Sequence, residues 1–273
     1  MYSGAAAIDY LAGELEQIDP GTSSHWAKYH SSFVYTGEGF RGLQGFGGHR
    51  KPYGKLVTCI ETLLQSKSRD MADGKEFSLI DDLAAKIAFS QNRNYGLDLL
   101  RQSLTLTFLR IHLPKLLKKG GDVVCVIGDG FASMTSLLLA SNSAQKVILV
   151  NLTKTLFVDL WYLRLWMGND LFATNVDLVS NIDDLRCALE KPFDVDGSGE
   201  MGRVIAIRAA DQALIRNSNI DLAVNIASMQ EMNPSVISDY FTSLRKTSSE
   251  KPLYFNCCNR QEKVLRWNGD QFF

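Results

Sequence analysis

No apolar stretch in this chain of 273 residues runs for about 18 positions without a charge, so no membrane-spanning helix is predicted. The opening residues, Met1-Tyr2-Ser3-Gly4-Ala5, lack a basic stretch followed by an apolar run and do not read as a secretory signal. The five cysteines, Cys59, Cys125, Cys187, Cys257 and Cys258, show no CxxC spacing, and an odd number cannot all pair within one chain. A reduced, cytoplasmic setting is the simpler expectation. Neither charge sign dominates: 29 Lys and Arg stand against 30 Asp and Glu, a net charge of -1. Such a balance exerts no broad pull on a phosphate backbone or an anionic bilayer, so neither nucleic acid nor membrane is expected as a partner. Clustered Asp, Glu and His spacing of the kind a divalent cation needs is also missing, and no metal site is predicted. What remains is an ordinary globular composition, 45% hydrophobic and 22% charged, long enough to bury a sizeable core.

The chain divides into two parts by pattern. Residues 1–118 mix helical periodicity with a glycine-rich tract and read as a mainly helical cap. Gly37 to Gly54 carries seven glycines, too many for a regular element, and is expected to form a long loop or lid. Leu56 to Gln65, Leu79 to Phe89 and Leu97 to Leu117 show apolar residues at helical spacing. His112, in the last of these, reads as packed. Residues 119–273 alternate short β-branched runs with amphipathic helices, the pattern of a parallel sheet with crossover helices. Five strands are predicted: Val123 to Ile127, Lys146 to Val150, Arg203 to Ile207, Asp221 to Ile226 and Leu253 to Cys257. Helices are predicted from about Ala132 to Ala140, from Thr155 to Met167 and from Pro234, a favoured residue for a first helical turn. Asn169 to Gly202 is the least readable stretch, and its tail from Asp194 resembles an exposed loop. The fold class expected is α/β, a doubly wound Rossmann-like sheet under a helical cap, with ligands beyond the carboxyl ends of the strands.

The first strand-to-helix turn, Gly128-Asp129-Gly130-Phe131-Ala132-Ser133, is therefore where a cofactor is expected. Its glycines can adopt backbone angles closed to other residues, and free N–H groups at the helix start would face the ligand. A dinucleotide fits it poorly. The last position of a G-x-G-x-x-G fingerprint is Ser133, and Asp129 places a carboxylate where two phosphates would lie. A cofactor carrying a sulfonium and an ammonium suits that carboxylate better, which favours S-adenosylmethionine over a nicotinamide nucleotide. At the end of the second strand, Asn151 either caps the next helix or contacts a ribose. After the third strand, in Ala209-Ala210-Asp211-Gln212, Asp211 either contacts an adenine amino group or caps a helix.

The segment Asp221-Leu222-Ala223-Val224-Asn225-Ile226-Ala227-Ser228-Met229-Gln230-Glu231-Met232 is the most distinctive in the chain. It resembles the putative sugar O-methyltransferases, in which a strand ends in Asn and a Ser-aromatic-Gln-Glu-Met run follows. Leu149-Val150-Asn151-Leu152, Tyr240-Phe241 and the stretch from Tyr254 to Arg260 look similar to the same family. The resemblance spans about residues 122–263. It implies a class I methyltransferase fold, S-adenosylmethionine as cofactor and a sugar or other small hydroxylated acceptor. It further implies that Leu152, Asn225 and Ser228 lie beside the cofactor and Gln230 near the acceptor. The sequence departs from the family at Val126, where an acid is usual, at Ala132, where a third glycine is common, and at Met229, which replaces the aromatic. Only Arg260 to Phe273 remains for the antiparallel hairpin that ends such folds, as expected if the chain is part of a longer protein.

Methyl transfer to a hydroxyl requires alignment of the reactants, exclusion of water and removal of the hydroxyl proton. Glu231, just beyond the fourth strand, is one candidate base; its alternative role is a favourable acid near the start of the following helix. His49, in Gly47-Gly48-His49-Arg50-Lys51, is the other candidate, on the glycine-rich lid, while His25 and His30 have weaker claims. Arg50 is a candidate for an anionic group on the acceptor. Two further readings compete: a non-catalytic methyltransferase-like module, drawing on Val126, Asn151 and the short C-terminal stretch, and a nicotinamide-dependent oxidoreductase.

Overall fold

The computed structural model describes residues 1–43, 65–72, 74–117, 123–191, 202–247, 252–259, 263–264 and 271–272. His49, Arg50, the expected cap boundary at 118/119 and nearly all of the expected helix over 56–65 lie outside these residues. The first third supplies β1 (Tyr2–Ser3), α1 (Ala5–Gly13), α2 (Ser24–His30) and a small antiparallel hairpin of β2 (Val34–Tyr35) and β3 (Phe40–Arg41). Helices α3 (Lys75–Ser90), α4 (Leu97–His112) and α5 (Pro114–Leu117) follow. The single helix expected from Leu97 to Leu117 is broken at Leu113 because Pro114 has no N–H and disfavours helical angles in the residue before it. His112 is exposed and lies tilted against Phe108, the ring centroids 4.3 Å apart, so the packed position expected for it is corrected.

From Val123 the alternation is β4 (Val123–Ile127), α6 (Ser133–Ala140), β5 (Lys146–Asn151), α7 (Thr153–Met167), α8 (Asn169–Asn175), β6 (Val176–Val179), α9 (Ile182–Glu190), β7 (Arg203–Arg208), β8 (Leu222–Ile226), α10 (Pro234–Leu244) and β9 (Tyr254–Cys258). A final pair, β10 (Lys263–Val264) and β11 (Gln271–Phe272), is antiparallel and forms its own two-stranded sheet. The main sheet has seven strands in the order β1-β6-β7-β5-β4-β8-β9. Every neighbouring pair is parallel except β1 with β6. This is an α/β architecture with helices on both faces, compatible with a Rossmann-like arrangement. Among the described residues no helix is long and apolar enough to cross a membrane.

Strand alternation builds two cores. Val124, Val126, Val147 and Leu149 face α1, α3, α4, α6 and α7, whereas Cys125, Ile127, Ile148 and Val150 face α9, α10 and the 3-10 helix Ala209–Asn217. Burial on both faces explains the unbroken apolar runs, each fully buried aliphatic contributing about 1.5–3 kcal/mol. The first core also takes in Ala7, Ile8 and Leu11 of α1, so apolar packing runs from the first third into the sheet domain.

Two strands of the main sheet were not predicted. β6 lies in the poorly readable stretch after Asn169, and β1 extends the sheet from the segment expected to be wholly cap. Both rest on Asp177, which is 1% exposed and accepts hydrogen bonds from Ser3 Oγ at 2.6 Å, Arg203 Nη2 at 2.7 Å and Lys191 Nζ at 2.8 Å. Burial pushes this carboxyl up, and these partners hold it below its ordinary value.

Candidate functional site

The chain runs from β4 outward through β5 to β6, returns to fill the place between them with β7, then crosses to β8 on the other side of β4. Carboxyl ends of β4 and β8 thus diverge at a topological switch point, where such sheets leave a crevice. A cavity of about 480 Å³ opens there. Its floor is the turn after β4, Gly128 to Phe131, with Asn151 and Leu152 at the end of β5 and Ile226 to Ser228 at the end of β8. The N-terminal segment covers one side through Pro20, Gly21, Ser23 and Trp26, and the start of α4 covers another.

The turn is held in an unusual conformation. Gly128, Gly130, Phe131 and Ala132 have φ of 70°, 71°, 63° and 50°, and Ala227 on the opposite rim has 63°. Left-handed angles cost a non-glycine residue about 1–2 kcal/mol, so Phe131, Ala132 and Ala227 store strain on the two rims of one cavity. Gly128 has no alternative: a Cβ there would come within 2.2 Å of Ser228 Oγ. Gly130 differs, since a Cβ on it meets nothing within 4 Å and would project into open space.

Asp129 lines the cavity, but its carboxylate is engaged within the protein. Its two oxygens accept hydrogen bonds from the backbone N–H groups of Met134 and Thr135, each at 2.8 Å, and so cap α6 from inside the loop. Asp159 of α7, fully buried, accepts from the N–H of Ala132 at 2.9 Å and from Asn151 Nδ2 at 2.8 Å. Three of the amides around the helix start that were expected to be free, those of Ala132, Met134 and Thr135, are therefore committed to two internal carboxylates. Burial pushes both carboxyls above their ordinary values, and for Asp159 the neighbouring Asp129 charge adds to the effect. Arg93, which leads into α4, is the nearby cation. Its guanidinium lies 3.9 Å from the centroid of the Phe131 ring and Nη1 donates to Gln91 Oε1 at 2.8 Å. Desolvation lowers its pKa to about 10 even though Tyr162 and the surrounding carboxylates favour the charged form.

Asn151 has a use that neither reading anticipated. While one side-chain N–H goes to Asp159, its Oδ1 accepts from the N–H of Leu152 at 3.0 Å, and the residue still lines the cavity. Helix α7 is capped instead by Asp19, whose carboxylate accepts from Thr153 N–H at 2.8 Å and Thr153 Oγ1 at 2.6 Å. That bond ties the N-terminal wall to the sheet.

The β8 rim is stitched to the β4 turn. Asn225, fully buried, donates to Ile127 O at 2.8 Å and accepts from Met229 N–H at 3.0 Å, and Ser228 Oγ donates to the same Ile127 carbonyl at 3.1 Å. Ser228 lines the cavity and Asn225 shapes it from beneath. Gln230 and Glu231 project from the short 3-10 helix Met229–Glu231 onto the rim. Glu231 Oε1 is 3.7 Å from His25 Nε2 of α2, so a carboxylate and an imidazole meet across the cavity edge.

The turn glycines, Asp129, Phe131, Asn151, Leu152, Ser228, Gln230 and Glu231 thus surround one cavity. Ala210 and Asp211 are not among its lining residues, although Ala209 is; Asp211 instead binds Arg208, with Oδ2 2.9 Å from Nη2. Asp19, Arg93, Asp159 and Tyr240 were missed from sequence. Tyr240 of α10 is 1% exposed, yet among the described residues its hydroxyl makes no hydrogen bond and it borders the cavity. Tyr240→Phe is accordingly expected to change unfolding free energy in urea by less than about 0.5 kcal/mol. A loss above about 1 kcal/mol would reveal a structural bond and remove the hydroxyl from the cavity's polar groups.

Set against known proteins, the chain matches no family model, no curated protein and no solved structure.

Proposed function

We propose that the protein is an S-adenosylmethionine-dependent O-methyltransferase acting on a sugar or another small hydroxylated acceptor. The observation that carries this reading is the cavity at the switch point, set over a glycine turn where the N–H groups of Ala132, Met134 and Thr135 are already taken by Asp129 and Asp159. A dinucleotide pyrophosphate binds through such amides, and these three are not available to it. Two buried carboxylates beneath the turn disfavour phosphate and suit a cationic cofactor. Gly130 leaves room for a ligand to approach the backbone. The resemblance of residues 122–263 to sugar O-methyltransferases points the same way. Asn151, an amide where both cofactor classes usually place an acid, is the feature that keeps a non-catalytic module as the alternative.

S-adenosylmethionine, when bound, supplies a methyl group on a sulfonium leaving group. The protein's part is to align the acceptor, exclude water and hold a base for the hydroxyl proton. Glu231 is the described rim residue suited to the last task, with His25 beside it. Glu231→Gln keeps the shape of the side chain but not its basicity. It is expected to retain cofactor affinity and lose about 10²–10⁴-fold in turnover. Near-normal turnover in this variant would move the base elsewhere.

Thermal unfolding with S-adenosylhomocysteine and with NAD tests the assignment. At a hundredfold excess over Kd, S-adenosylhomocysteine is expected to raise the midpoint by about 5 °C or more, with no rise from NAD. A rise with NAD alone overturns the reading. A module that has lost its cofactor responds to neither.

A further inference from the structure

The wall of the cavity formed by the start of α4 has no role in the reading above. Five charged side chains line the cavity among the described residues: Arg93, Asp98, Arg101, Asp129 and Glu231. Asp129 is turned inward to cap α6, and Glu231 stands on the β8 rim. Both cations, with Asp98, therefore belong to one wall. Arg93 is 4% exposed and held in place by Gln91 and the face of Phe131. A guanidinium immobilised in this way has already lost its water and its rotamer freedom, so an anion that reaches it meets a preorganised partner. Arg101 and Asp98 lie nearer solvent, with Nη2 and Oδ1 3.3 Å apart, and present one charge of each sign side by side.

A phosphate is a poor match for this wall. The Ala132, Met134 and Thr135 amides that would share its charge are committed, and Asp129 and Asp159, close to Arg93, weigh more heavily against a dianion than against a single carboxylate. A group with one negative and one positive charge a few bonds apart matches it better. We propose that the Arg93, Asp98 and Arg101 wall is a subsite for the α-amino-carboxylate end of a ligand, the carboxylate against Arg93 and Arg101 and the ammonium against Asp98. This deepens the cofactor reading and rests on it, since S-adenosylmethionine and S-adenosylhomocysteine both end in that group.

Calorimetry with S-adenosylhomocysteine and 5′-methylthioadenosine, the same nucleoside thioether without the amino-acid end, separates the subsite from the rest of the cavity. The wild-type protein is expected to bind S-adenosylhomocysteine at least about tenfold more tightly. Arg93→Gln should erase that preference and leave methylthioadenosine affinity unchanged, which also shows that the variant is folded. Equal wild-type affinity for the two ligands, or an Arg93→Gln variant that keeps the preference, overturns the subsite while leaving the cofactor reading in place. If Arg93→Gln does not fold, the double variant Asp98→Asn, Arg101→Gln decides the matter. A preference lowered at least about threefold supports the subsite, and an unchanged one overturns it. A wild-type protein that binds neither ligand overturns the cofactor reading, and the subsite with it.

Discussion

Gly130→Val is expected to abolish S-adenosylhomocysteine binding while leaving the protein folded. A Cβ at this position meets no protein atom within 4 Å, and the residue borders the cavity, so the added methyl groups enter space that a ligand needs. The φ of 71° adds a backbone cost of about 1–2 kcal/mol for any L side chain, which lowers stability without exceeding what a domain of this size usually holds. Affinity should fall at least about a hundredfold by calorimetry. Gly130→Ala separates the two effects, because it carries the same backbone cost with a single methyl group and should lose less affinity. A folded Gly130→Val variant that binds as well as the wild type would remove the turn from the site.

Asp159→Ala is expected to destabilise the protein by about 2–5 kcal/mol in urea unfolding. The substitution leaves the Ala132 N–H and the Asn151 side-chain N–H buried without an acceptor, each a loss of about 1–3 kcal/mol. A change below about 1 kcal/mol would mean that these donors find new partners. Asp159→Asn keeps one acceptor oxygen and reports on pH. Burial, and then the Asp129 charge, raise the Asp159 carboxyl above 3.8, so the folded state holds a proton that the unfolded chain has released. That advantage is fully present below the unfolded value and is lost as pH rises to the higher folded value. Because Asp129 and Asp159 titrate as a pair, the window belongs to both. Wild-type stability should therefore decline relative to Asp159→Asn from pH 3.8 upward. Parallel stability curves for the two proteins would show that Asp159 is not the titrating group.

Legibility in the sequence follows the range of the interactions. Strands β4, β5, β7 and β8 were readable because burial on both faces demands continuous apolar runs, a purely local signature. β6 was not, because Asp177 interrupts its pattern and is tolerated only through Ser3, Lys191 and Arg203. The same limit applies at the site. The glycine turn and the Asn225 to Met232 segment announce themselves by local pattern, and they do border the cavity or support it. The direction of the Asp129 side chain depends on which N–H groups α6 leaves open, which no spacing rule reports. Asp159 did leave a signal, a lone acid between Val158 and Leu160 in an apolar helix. A buried acid in that setting needs donors, and here they come from Ala132 and Asn151. Asp19 left none, because its partner is 134 residues away.

That separation bears on the order in which the molecule is made. Ser3 bonds to a residue 174 positions later in the chain, and Asp19 to one 134 positions later. At roughly 5–20 residues per second, the N-terminal wall emerges from the ribosome on the order of ten seconds before the strand and helix it docks on. Through that interval Ala7, Ile8 and Leu11, all destined for the core, have no sheet to cover. Closure of the cavity wall is thus a late event in biogenesis, and the apolar start of the chain must be kept from other partners until β6 and α7 exist.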